Sequence, residues 1–464
     1  MTDPVHDSIC RLFYPRAIAV VGASSAAGKL GHMILANLVN RGFSGPVYPV
    51  NPSESSILGL KAYPDLEAIP EPIDLVVVAV PGGAVVGVVE QATARGVPAA
   101  IIVSAGFSET NSTEGKVAEE RIRRLARDAS MAIIGPNCQG VLSARGQVSA
   151  WFGPLPEKSG SALFLSQSGG LAGTLIDWAN RRQIPLFDSV VSLGNKCTID
   201  EADILAAFAD DPEIRVAMCY IEGFGAGRGK AFMEAARAFS EKKSVVVLKG
   251  GRSTSGGRAT ASHTGSLAGR DRVFAGAMEQ AGVCLTDSIR GFVNAARQAA
   301  TGSIPTGKRV AILTNLGGPG VITADLCEGQ GLQVTPTPED VREELHQRIP
   351  AYCPVGNPID LTGDPDPTRY HAALDLVYGC EAFDAVLIVG GPMAGSVQAA
   401  EDIIRAQQAH HKATAVCWMT EESREIVRPI LESQGLPVYE MPEDAVSALA
   451  AVTPATDEHV AVNP

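Results

Sequence analysis

Short, uninterrupted apolar runs recur along the chain at helix-sized intervals. Ala17–Val21, Val47–Val50, Leu75–Val80, Ala99–Val103 and Ala132–Ile134 are strand-length and rich in β-branched residues. Between them Gly31–Arg41, Gly83–Arg95 and Lys116–Asp128 mix apolar and polar positions as helices do. Strands that do not alternate are covered on both faces, and strands separated by helices pair in parallel, so the pattern predicts an α/β fold. It restarts after Pro154-Leu155-Pro156, with strands expected at Ala162–Leu165, Ser189–Leu193, Val216–Ile221 and Ser244–Leu248. Helices are expected there at Gly170–Arg182, Glu201–Ala209, Lys230–Phe239, Arg272–Gln280 and Ser288–Thr301. A Gly/Ser/Pro linker at 302–307 opens a third block, with strands at Arg309–Thr314, Ala385–Val389 and Thr414–Met419. The predicted domains are 1–145, 155–302 and 308–455, with the last dozen residues frayed.

Composition narrows the partners. The length of 464 residues suits about three domains, and 45% apolar with 19% charged residues suits ordinary buried cores. A net charge of −13 argues against a nucleic-acid footprint. No apolar run reaches membrane-spanning length, and the first residues lack the layout of a secretory signal. Nine scattered cysteines without a CxxC pair suggest reduced thiols, a cytoplasmic setting and no zinc site.

Candidate chemistry lies at the strand ends. Gly22, Ser24 and Ser25 follow the first strand, Asn51-Pro52 the second, Val80-Pro81 the third and Ser104 the fourth. In an open parallel sheet those ends share one rim, where ligands bind. Ordinary turn chemistry explains Asn51-Pro52 and Val80-Pro81 equally well. The first turn has glycines at 22, 28 and 31. It therefore lacks the GxGxxG fingerprint, and Asn51 stands where a dinucleotide site wants an acid, so a dehydrogenase is disfavoured.

Two later turns echo each other 148 residues apart. Phe164-Leu165-Ser166-Gln167-Ser168-Gly169-Gly170 and Ile312-Leu313-Thr314-Asn315-Leu316-Gly317-Gly318 both run hydroxyl, amide, one residue, Gly-Gly into a helix. Each is suited to an anion, with free N–H groups and a positive dipole end; chance similarity of two strand–turn–helix units is the alternative. Finally, in Gly250–Gly269 sixteen of twenty residues are Gly, Ser, Thr or Ala, around one histidine, His263. That composition predicts a mobile loop carrying an imidazole suited to act as base or nucleophile, or an incidental surface histidine.

Together VVGASSAAGKLG, YPVNP, VPGG, IIGPNCQGV, FLSQSGGLAG, SLGNKCTID, YIEG, ASHTGSLAG and GNPIDLTGD resemble, in family order, the nucleoside-diphosphate-forming acyl-CoA synthetases, the superfamily of succinyl-CoA synthetase. The resemblance implies a Rossmann-like CoA-binding domain followed by two flavodoxin-like parallel-sheet domains. It implies that His263 is phosphorylated and oriented by Glu222, with Ser166, Ser168, Gly169 and Gly170 as one phosphate cradle and Thr314, Gly317 and Gly318 as a second. Taken on its own, Glu222 reads as a solvated strand-end carboxylate. CoA falls to Gly22, Ser24, Ser25, Asn51, Pro52, Val80, Pro81, Ser104 and Asn137, and Cys138 is disfavoured as a nucleophile because CoA brings its own thiol. The acyl pocket is expected near Asn137–Gln139, Trp151–Gly153 and Gly194–Lys196.

The chain departs from the family where a lysine commonly follows the Asn-Pro pair: Ser53 stands there, with Glu54 beside it, and Lys29 or Lys61 is left to compensate. No stretch remains for an ATP-grasp module. The resemblance therefore implies a beta subunit that binds ATP or ADP with Mg2+, in an alpha2beta2 assembly, acting on a small carboxylic acid. The competing readings are a non-catalytic CoA- or acyl-CoA-binding module of the same fold, and a citrate-lyase-like relative, which would need a further domain.

Overall fold

The structure, a computed structural model, describes residues 4–264, 271–363, 367–393 and 395–454, and of 4, 261–264 and 367 the backbone alone. The frayed end expected over the last dozen residues lies almost wholly outside them. The chain divides into two compact units with the boundary at Leu285/Thr286.

The first unit holds two sheets. One is five-stranded and wholly parallel, in the spatial order Val47–Val50, Ile18–Val21, Leu75–Val78, Ala99–Ile102, Ala132–Ile134. Its chain order reverses between Ile18–Val21 and Leu75–Val78, which makes their carboxyl ends the switch point where such sheets take ligands. The other is seven-stranded, in the order Cys284–Thr286, Ser244–Lys249, Val216–Ile221, Ala162–Ser166, Phe187–Ser192, Gly140–Ser143, Val148–Trp151. Its last two strands form an antiparallel hairpin, with Val141 opposite Val191 and Ala150 opposite Val141. The sequence reading left that hairpin out. The segment has a strand signature, but its partner strand lies some 45 residues on, beyond the reach of local periodicity. One apolar core runs from Ile18, Leu75 and Ile101 through Val141 and Ala150 to Leu163, Ala217 and Val245, so both sheets consolidate together.

The second unit carries a parallel sheet ordered Gln333–Val334, Arg309–Thr314, Ala385–Gly390, Ala413–Trp418, Val438–Tyr439, with Ile359–Asp360 beside the end of Arg309–Thr314. The helix Ile289–Ala300, which the sequence places at the end of the second block, packs here against the helix Pro442–Val452. Asn294 donates to Asp444 at 2.9 Å, and the Tyr439 hydroxyl to the Asn294 carbonyl at 3.2 Å.

The Gly/Ser-rich segment differs from expectation. The backbone is helical over Thr254–Thr264. The Ser253 hydroxyl caps the start by accepting from Gly256 N–H at 3.0 Å, and the Thr260 hydroxyl bonds the Gly256 carbonyl at 3.0 Å. Capping and alanines outweigh two glycines over this short span. The remainder of the predicted loop, 265–269, and the His263 side chain lie outside the described residues.

Candidate active site

The first turn is shaped by contact. Gly22 has φ +90°, and a Cβ there would collide with the Ala79 carbonyl at the switch point. Asn51 ties the second turn to the first, its Nδ2 donating to the Ala23 carbonyl at 2.8 Å. Its Oδ1 accepts from Ser53 and Glu54 N–H at 2.8 and 3.2 Å, and Pro52 is exposed. Ser24 is buried. The Ser25 N–H donates to both Glu54 carboxylate oxygens at 3.2 Å. The Ser25 side chain, then these backbone bonds, hold the Glu54 carboxyl below its usual range. Lys61 lies 4.8 Å over the Tyr63 ring, while Lys29 adds its charge near Glu54.

Beyond Val80 a cleft of about 620 Å³ opens, lined by Val80, Pro81, Ser104, Asn137, Cys138, Gln139 and Phe152, and also by Ser168, Gly169 and Gly170. The structure thus brings the later CoA candidates and the first phosphate cradle to one surface. Gly22, Ser24, Ser25, Asn51 and Pro52 do not line it. Ser104 is fixed by donating to the Val80 carbonyl at 2.6 Å. The Cys138 thiol is buried, donates to the Ile102 carbonyl at 3.3 Å and is pushed up to about 12 by burial, so it stays protonated at neutral pH. Trp151, expected near the acyl pocket, is fully buried, and Phe152 alone of that pair faces the cleft. Gly194–Lys196 also lie off its lining.

At the cradle Ser166 is wholly buried, and its hydroxyl bonds the Ser168 carbonyl at 2.7 Å. It shapes the turn from within. Ser168 caps the helix Gly169–Arg181, accepting from Leu171 N–H at 3.2 Å. A Cβ on Gly169 would sit 2.6 Å from Gln139 Cγ, so glycine is what lets the helix start approach the cleft wall.

Glu222 follows the strand Val216–Ile221 and is 5% exposed. Its N–H and that of Gly223 donate to Gln167 Oε1 at 2.6 and 3.1 Å. Gln167 Nε2 donates in turn to Glu201 at 2.5 Å and to the Gly223 carbonyl at 2.8 Å. Lys196 bonds both Glu201 oxygens, at 3.1 and 3.2 Å, and the same carbonyl at 2.8 Å. The Tyr220 hydroxyl donates to Glu222 Oε1 at 3.2 Å, and burial, then the Glu222 charge, push that phenol up to about 12. Lys249 bonds the Glu222 carbonyl at 2.7 Å. A buried polar network therefore fixes the backbone from which the carboxylate projects. Gln167, Glu201 and Tyr220 were missed as functional candidates, and Lys196, expected at the acyl pocket, is bonded into this network instead. The amide repeated in both echo turns was the only signal for Gln167, because the others come from distant strands and loops.

In the second unit Thr314 is buried and bonds the Val389 and Leu316 carbonyls at 2.8 and 3.1 Å. Gly317 and Gly318 open the helix Gly317–Gly329, with Asp360 beside Gly317.

These features define an α/β chain whose strand-end turns and helix-start cradle share one unit. Residues 16–144 match the model of a CoA binding domain, 159–299 that of a succinyl-CoA ligase-like flavodoxin domain, and 310–397 that of a ligase-CoA domain. The acetate–CoA ligase (ADP-forming) II subunit alpha of Pyrococcus furiosus is 37% identical over 95% of this chain and 96% of its own length. The acetate–CoA ligase (ADP-forming) I of Archaeoglobus fulgidus is 36% identical over 95% of this chain, which spans 63% of that longer protein. The structure of acetyl-coenzyme A synthetase 1 from Ca. Korarchaeum cryptofilum, in complex with phosphate and ADP, superposes with a TM-score of 0.89 at 34% identity, covering 95% of both chains. The chain belongs to the ADP-forming acyl-CoA synthetases, an acid–thiol ligase family, in the position of the alpha subunit.

Proposed function

We propose that this chain, with an ATP-grasp beta subunit in an alpha2beta2 assembly, interconverts a small carboxylate, ATP and CoA with acyl-CoA, ADP and phosphate. The observation that supports it most is the cleft that joins Val80, Pro81, Ser104 and Asn137 to the helix start at Ser168–Gly170. In the forming direction His263 takes the phosphoryl group from ATP on the partner, where Mg2+ is also held. The phosphate then passes to the carboxylate, giving a bound acyl phosphate. The CoA thiolate attacks its acyl carbon, the C–O bond to phosphate breaks, and inorganic phosphate leaves.

In this reading Glu222 orients the imidazole and stabilises its cationic form. The Gly169 and Gly170 N–H groups receive the phosphoryl dianion, an N-terminal dipole contribution of about 1 kcal/mol. The domain limits 1–145, 155–302 and 308–455 and a cytoplasmic setting complete the reading. Incubation with the beta subunit and γ-labelled ATP should give an acid-labile, base-stable phosphoadduct that His263→Ala abolishes; equal labelling of that variant would refute the phosphohistidine.

A further inference from the structure

The second turn holds more than a missing lysine. The Glu54 carboxylate sits over the first turn, taking the Ser25 N–H on both oxygens at 3.2 Å, the Asn51 Nδ2 at 3.3 Å and the Ser24 hydroxyl at 3.5 Å. Ser24 and Ser25 lie at the carboxyl end of Ile18–Val21, at the switch point, and Asn51 at the end of the adjacent Val47–Val50, where an open parallel sheet offers a phosphate its backbone N–H groups. A carboxylate with two oxygens turned on such donors fills the place of a phosphate. The placement is not incidental to the chain trace, because Asn51 Oδ1 accepts the Ser53 and Glu54 N–H groups and so aims the side chain back toward the first turn.

We infer that Glu54 is an internal anion that competes with the diphosphate of CoA for the Ser24–Ser25 turn and thereby sets the CoA affinity of this chain. The inference rests on the proposed CoA site. CoA gains the turn only by displacing a carboxylate already bonded there, and the displaced charge then stands close to the ligand's own phosphates. Removing it relieves both effects. Glu54 is half-exposed and belongs to no core, so its replacement leaves the fold in place.

Calorimetric titration of the full chain with CoA and with dephospho-CoA tests this in wild type, Glu54→Gln and Glu54→Ala. Both variants should bind both ligands more tightly, by roughly three- to fivefold, the size of one exposed charge pair. That gain should shrink as salt is raised. Unchanged or weaker binding in Glu54→Ala overturns the inference, and the CoA site stands. A gain confined to CoA also overturns it, since Glu54 would then oppose the 3′-phosphate rather than occupy the turn. If no form of the chain binds either ligand, the CoA site itself falls and the inference with it.

Discussion

The turns at Ser166–Gly170 and Thr314–Gly318 are built alike and finished differently. In each a buried hydroxyl folds back on the residue two ahead: Ser166 bonds the Ser168 carbonyl and Thr314 the Leu316 carbonyl, at 2.7 and 3.1 Å. In each the next amide side chain accepts the N–H that follows the neighbouring strand, Gln167 from Glu222 at 2.6 Å and Asn315 from Gly391 at 3.0 Å. The register makes Glu222 and Gly391 counterparts, because Ser166 pairs with Tyr220 and Thr314 with Val389. There the likeness ends. The first turn has a carboxylate, a capping serine and an amide bonded at both ends. The second has a glycine, an uncapped helix start at Leu316, and a buried Asn315 Nδ2 without a hydrogen-bond partner among the described residues. The shared frame presents a helix start; at the position held by its amide the first carries the acid Glu222, whereas the second carries Gly391 there and has Asp360 beside Gly317 instead.

If that difference separates a phosphoryl-transfer site from a passive cradle, Glu222→Gln should show the largest effect. Phosphoadduct formation and turnover should fall roughly 10²-fold, the low end of what a positioned acid–base group contributes. Full labelling of the variant would erase the distinction between the two turns. The next effect is on stability. Gln167→Leu strands the buried Glu222 and Gly223 N–H groups and removes a partner of Glu201, a loss of about 3 kcal/mol at one to a few kcal/mol per orphaned group. Asn315→Leu strands only the Gly391 N–H and should cost about 1–2 kcal/mol. Urea unfolding of the two variants ranks them, and an equal loss would mean the additional bonds of Gln167 contribute nothing.

How far the sequence reached follows the same divide between local and distant information. The parallel blocks were legible because doubly covered strands are continuous apolar runs, and the echo because both turns repeat hydroxyl, amide and Gly-Gly at one spacing. The hairpin at 140–151 was not legible, since its pairing with Phe187–Ser192 is a long-range choice. Nor was the helix Thr254–Thr264, where Ser253 capping overrides a composition that reads as loop. At the site, Val80, Pro81, Ser104, Asn137, Ser168, Gly169 and Gly170 meet in one cleft because all lie at strand ends. Ser166 and Thr314, expected in the two phosphate cradles, are buried, and their hydroxyls bond the carbonyls two residues ahead. A residue type says which bonds a side chain makes, whereas its orientation is settled by the neighbours.

Smaller effects test the finish of each turn. Ser168→Ala removes a helix cap and should cost about 1 kcal/mol, measured by the shift in denaturation midpoint. Tyr220 supplies the finest test, because its counterpart Val389 cannot titrate. Burial and the Glu222 charge hold the phenol protonated up to about pH 12 in the folded chain, against about 10 when unfolded. The folded state therefore keeps a proton that the unfolded state has released, so the stabilisation is intact below pH 10 and is lost as pH rises from about 10 towards 12. An ultraviolet difference titration of wild type against Tyr220→Phe should show one phenol ionising near the top of that window. In Glu222→Gln the same phenol should ionise lower, since the charge opposing phenolate is gone. An unmoved titration there would mean that burial alone sets it, and that the 3.2 Å contact does not couple Tyr220 to the carboxylate.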